Sequence, residues 1–202
     1  MSTKQLSAVA VFAAVFGLVG LANGQQVQVK KVDVKKVEVK VQKTPNFQAG
    51  DVDGKKVPNP RDWLEVEVEF EADAAPRDEV VPTLLFRYYV AIQDKDGNTK
   101  VLTGDVNHIN VIPGEEMYSA VYVAPATLGK ITGDFRRFSE GAIKSVAVEV
   151  FYNGVSVGGE STAGSGRWWE QLNPEPGVLA KNKTPFAILW LDRYADIQAD
   201  GR

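Results

Sequence analysis

The residues best suited to chemistry here are tryptophans: Trp168-Trp169 behind a glycine-rich stretch, and Trp190 inside the apolar run Phe186-Ala187-Ile188-Leu189-Trp190-Leu191. An exposed indole can stack on a sugar ring, while a buried one fills a core. Trp190, in its apolar run, is expected in the core. Trp168 and Trp169 point to opposite faces if the chain is extended, so at most one of them would meet a host glycan. Glu115 with Glu149 is the kind of carboxylate pair a glycosidase uses, yet no spacing singles it out among many acidic residues. Residues 161–166 (STAGSG) lack the frame of a nucleophile elbow and read as a flexible connector.

Metal chemistry is equally thin. His108 is the single histidine and there is no cysteine, so the usual ligands of a soft or mixed site cannot assemble. It reads as a surface or edge residue of a strand. Asp94-x-Asp96-Gly97-Asn98 and Asp51-Val52-Asp53-Gly54 carry oxygen ligands, but a calcium loop needs its glycine later and a glutamate beyond it. Turns explain both. No catalytic residue, metal or cofactor is therefore expected, and the chain is not read as an enzyme.

The bulk properties narrow the partners. Lys and Arg number 23 against 26 Asp and Glu, a net charge of −3, without the basic excess that a phosphate backbone demands, so no nucleic acid is expected. The first residues form a secretory leader: Lys4 is the positive start, residues 6–21 the apolar core, and Ala22-Asn23-Gly24 the cleavage pattern before Gln25. The expectation is export, to the periplasm, outer membrane or cell surface, with residues 1–24 lost. A retained membrane anchor is the rival reading. A conventional type IV prepilin would place a Glu soon after the cleaved Gly, and none precedes Glu38.

The elements that must position these residues are strands. Residues 25–43 repeat every five residues as Val27-x-Val29-Lys-Lys, Val32-x-Val34-Lys-Lys and Val37-x-Val39-Lys40-Val41. Five is odd and side chains alternate with period two, so a regular strand would turn its apolar face over at each Lys-Lys step. Either bulges absorb the extra residue, or the strand is buried on alternating sides. A solvated tether without a partner is the bland alternative. Residues 44–62 read as a linker. Trp63-Leu64-Glu65-Val66-Glu67-Val68-Glu69-Phe70-Glu71 alternates cleanly, with Leu64, Val66, Val68 and Phe70 inward and Glu65, Glu67, Glu69 and Glu71 outward. Six lysines against Asp33 and Glu38 give residues 25–43 a local charge of plus four, which makes that glutamate row an acidic acceptor face, in the same chain or the next.

Asp96-Gly97 and Asn153-Gly154 each separate two apolar runs and predict hairpins. Residues 117–123 and 185–191 alternate as strands, and residues 125–138 offer one helical turn or a crossover. The expected fold is all-β: a two-sheet sandwich over residues 63–202, immunoglobulin-like, with a long N-terminal strand and little helix. A jelly roll or small barrel is the other architecture.

The leader, the Val-Lys-Lys repeat, the segment Pro58-Asn59-Pro60-Arg61-Asp62-Trp63-Leu64-Glu65-Val66 and the tail at 185–191 resemble a pilus-like surface protein family of Akkermansia and related Verrucomicrobia. The resemblance implies an immunoglobulin-like envelope protein associated with type IV pilus-like assembly, and it transfers no ligand residues. The functional expectation is a structural protein that forms homo-oligomers or joins pilus-like envelope proteins. Its contact would be the strand bearing Val27, Val29, Val32, Val34, Val37, Val39 and Val41. The alternative is a secreted carbohydrate-binding or adhesin domain using Trp168 or Trp169.

Overall fold

The five-residue repeat keeps one face to the core because the first strand bulges at its Lys-Lys steps. The computed structural model describes residues 27–48, 56–164 and 166–199. The leader, the Gln25 start and the turn expected at residues 51–54 lie outside them. Strand β1 (Gln28–Lys43) runs antiparallel to β2 (Asp62–Ala75), and its register shifts between Val29 and Lys31 and again between Val34 and Lys36. One lysine of each pair is thus the extra residue of a bulge. In consequence Val29, Val32, Val34, Val37, Val39 and Val41 lie opposite Ala74, Ala72, Phe70, Val68, Val66 and Leu64, all on the core side. Val27 is buried just ahead of the strand.

Seven further strands complete two sheets: β3 (Val81–Gln93), β4 (Thr99–Val111), β5 (Glu116–Val123), β6 (Ile143–Tyr152), β7 (Val155–Ser161), β8 (Glu175–Pro176) and β9 (Val178–Ala180). The first sheet has the order β1-β2-β5-β9 and the second β7-β6-β3-β4-β8. Their inner faces meet in one apolar core, with Phe70 against Phe86 at 4.7 Å between ring centroids. This is the expected β-sandwich. Both hairpins form as expected, and Asn153 (φ 48°) and Gly154 (φ 79°) have the left-handed backbone that a tight primed turn requires. Asp94 accepts the N–H groups of Asp96 and Asn98, so its oxygens serve the turn. The helical stretch is the two-turn helix α1 (Pro125–Thr132), ended by Gly133 at φ 82°.

The two sheets close on each other at both edges, each time across a glycine. A Cβ on Gly158 of β7 would stand 2.2 Å from the Val32 carbonyl oxygen of β1, and one on Gly104 of β4 would stand 2.2 Å from the Val178 carbonyl oxygen of β9.

The C-terminal stretch departs from expectation. Residues 185–191 form successive tight turns, not a strand, and Trp190 is 52% exposed. Pro185 has no N–H for a ladder, and the Lys181 ammonium, itself buried, donates to the Ala187 and Leu189 carbonyls and curls the backbone around itself. Phe186 takes the core position instead, 2% exposed and stacked on Tyr122 at 4.4 Å.

Candidate functional site

The β1–β2 zipper carries the charges that the sequence set against each other. Lys35 bonds Glu71 at 2.6 Å, and this hydrogen bond holds the Glu71 carboxyl below its ordinary range. Glu38 is clamped by Lys36 and by Lys40 at 2.5 Å on its own strand, which drives its pKa down to about 2. That clamp matters because the register sets Glu38 opposite Glu67, a like-charge pair. Glu69 lies opposite Lys36.

Glu65 and Glu67 do not face water as the alternation suggested. The C-terminal segment roofs that part of the sheet, and both are buried. Glu65 accepts the Tyr122 hydroxyl at 2.7 Å. Glu67 accepts Arg193 at 2.7 Å and the Tyr194 hydroxyl at 2.5 Å. Burial alone would raise Glu67, but those two donors outweigh it and keep the carboxyl below its usual value. No periodicity marks Arg193 or Tyr194 in the sequence, so their part in this face was not visible there.

The outer edge of β1 is partly closed. Val41 N–H donates to Glu140 at 3.2 Å, the Val27 carbonyl accepts the Tyr152 hydroxyl at 2.7 Å, and Gly158 abuts Val32. With two bulges and a row of lysines, this edge has the devices that discourage an added strand.

On the outer face of the second sheet, Trp169 is buried flat against Tyr89 at 4.9 Å, and Trp168 meets it edge-on at 5.4 Å. They sit on a 3-10 turn, Trp168–Gln171, so they do not occupy opposite faces of a strand. Trp168 donates its indole N–H to Ser161, the last residue of β7, at 3.1 Å. Glu149 is buried beside them and accepts Tyr89 at 3.1 Å and Arg167 at 2.5 Å. Burial, and then Glu149, push the Tyr89 phenol up to about 12. A groove of about 400 Å³ runs along these groups over Gly158 and Gly159. Glu115 lies in the turn before β5, in the other sheet, and Glu149 takes its partners elsewhere.

His108 is fully buried, not on the surface or an edge. Its Nδ1 lies 3.2 Å from the carbonyls of Ala195 and Asp196, and Nε2 lies 2.6 Å from Ser119 Oγ, which also accepts the Tyr88 hydroxyl at 2.6 Å. The carbonyls fix the proton on Nδ1, so Nε2 accepts. Burial pushes the imidazole down to about 4. The sequence could not place it inside because its hydrogen-bond partners come from β5 and the tail, and the Phe86 ring packed on it comes from β3. Among the described residues no group of three or more His, Asp or Glu is arranged to hold a metal ion. No helix among them is long and apolar enough to cross a membrane.

Fold and site together define a β-sandwich whose distinctive parts are a charged zipper and a wrapped C-terminal segment, without a metal cluster among the described residues. A protein-family model matches residues 23–201, and the chain belongs to that family. Among solved structures it is similar to a crystal structure from Akkermansia muciniphila, with 28% identity and a TM-score of 0.74 over 87% of this chain and 96% of that one. No curated protein matches the sequence.

Proposed function

We propose that the chain is a non-enzymatic structural protein of the cell envelope, pilus-like or pilus-associated, exported with loss of residues 1–24 and assembling through β-strand contacts. The observation that carries this is β1, a 16-residue strand whose bulges keep every valine over the core of β2. Its protected outer edge disfavours simple strand addition, so assembly takes the form of exchange: β1 of one subunit docks on β2 of the next. The hinge is the segment between Lys43 and Asp62, closed here by Thr44 N–H on the Arg61 carbonyl at 2.9 Å. The strand order β1-β2-β5 facing β7-β6-β3-β4 supports the immunoglobulin-like reading. The match to an Akkermansia muciniphila structure agrees with the resemblance to a surface protein family of that genus, on which the pilus-like reading rests.

Light scattering tests the role of β1. A chain starting at Thr44 should lose oligomers or unfold, and a peptide of residues 25–43 supplied in trans should restore it. Equal oligomeric state and melting temperature with and without residues 25–43 would make the strand a tether and end this proposal. Carbohydrate binding is a second reading, favoured by the groove beside Glu149 and Trp169. A glycan array with the mature chain and its Trp168→Ala variant decides it.

A further inference from the structure

The C-terminal wrap holds a bulky side chain out at a cost. Trp190 has φ 52° and ψ 44°, a left-handed backbone that strains a non-glycine residue. Around it Ile188 is 65% exposed and Leu191 63% exposed. The base of this knob is rigid on both sides. Lys181 grips the Ala187 and Leu189 carbonyls, while Arg193 is bonded to Glu67 and lies 3.7 Å from the Tyr118 ring centre. A preformed apolar knob of this kind is the geometry of a binding hot spot.

The same chain carries a hole. A groove of about 530 Å³ is walled by Val57, Pro58, Trp63, Ala124, Pro125 and Ala126. The indole N–H of Trp63 is spent on Thr44 at 3.1 Å, so the groove offers mainly apolar surface. Charges complete the match: Arg61 stands at the groove, and Asp192 follows directly on the two most useful knob residues, Trp190 and Leu191.

We propose that Trp190 and Leu191 of one copy seat in the Trp63 groove of a second copy, with Asp192 facing Arg61. The inference rests on the self-assembly reading above and adds a contact that leaves β1 in place. A knob and a hole at different places on one surface make a heterologous contact, which closes into a ring or propagates head to tail. One Trp and one Leu bury far less than the roughly 800 Å² per partner of a stable complex, so this contact alone is weak and concentration-dependent.

Sedimentation of the mature chain over a wide concentration range tests it. Trp190→Ser with Leu191→Ser should raise the half-association concentration at least tenfold (about 1.4 kcal/mol) while the melting temperature stays put. Asp192→Arg should weaken association as well, and combining it with Arg61→Asp should restore it. Unchanged association of the double-serine variant overturns the proposal, as does failure of the charge swap to rescue. If the chain starting at Thr44 loses assembly while the double-serine variant keeps it, the knob is refuted and the β1 reading stands. Association of the knob with lipid vesicles or a glycan array in place of a second copy also overturns it.

Discussion

Acid should weaken this fold through one buried imidazole. His108 is neutral in the folded chain, with Nδ1–H on the tail carbonyls and Nε2 accepting from Ser119. Protonating Nε2 turns it into a donor, and Ser119 must then take hydrogen bonds from both His108 and Tyr88. The serine proton is left without an acceptor in a fully buried place, which is costly. Burial comes first among the causes of the depressed pKa, and the carbonyls of Asp196 and Ala195 and the Asp196 charge offset only part of it. The imidazole goes from an ordinary 6.5 to about 4 on folding. Between those values the unfolded chain binds the extra proton, so the stabilisation is complete above pH 6.5 and is lost as pH falls toward 4. Linkage sets the loss at about 2 kcal/mol by pH 5 and about 3 kcal/mol by pH 4. Urea unfolding at several pH values, for the parent and His108→Gln, measures it. Carboxylates titrate alike in both proteins, so the difference between the curves isolates the imidazole. Parallel curves from pH 7 to pH 4 would refute the reasoning.

Two other predictions address packing. Gly158→Ala and Gly104→Ala each push a methyl group into a backbone carbonyl, so each should cost about 1–3 kcal/mol by chemical denaturation, whereas Gly164→Ala, in open space but at φ 86°, should cost less than either. Equal, negligible losses at Gly158 and Gly104 would mean that the sheet edges are not pinched shut. Phe186→Ala should cost about 3–5 kcal/mol, since the ring is buried between Tyr122 and Trp63. Trp190→Ala should stay within about 0.5 kcal/mol, as for an exposed side chain, and the reverse order of the two in a melting experiment would place the wrong ring in the core.

Local pattern was enough to specify most of the sandwich. Alternation in Leu64, Val66, Val68 and Phe70, and the left-handed demands of Asn153-Gly154, act within a few residues, so strands and turns were legible along the chain. The odd period of the Val-Lys-Lys repeat showed that an extra residue had to be absorbed, but it left open whether bulges or alternating burial would do so, and the pairing with β2 decided for bulges. Tertiary structure alone decided the rest. The run from Phe186 to Leu191 has the apolarity of a core strand, but one ring can dock on Tyr122 and the others cannot follow once Lys181 curls the backbone. Glu65 and Glu67 look like solvent face until Tyr122, Arg193 and Tyr194 arrive from elsewhere in the chain to receive them. His108 is buried because β5 and the tail supply its hydrogen-bond partners while β2 and β3 supply the rings packed on it. Burial of a polar group depends on donors and acceptors that are distant in sequence, and residue type and spacing carry no record of them.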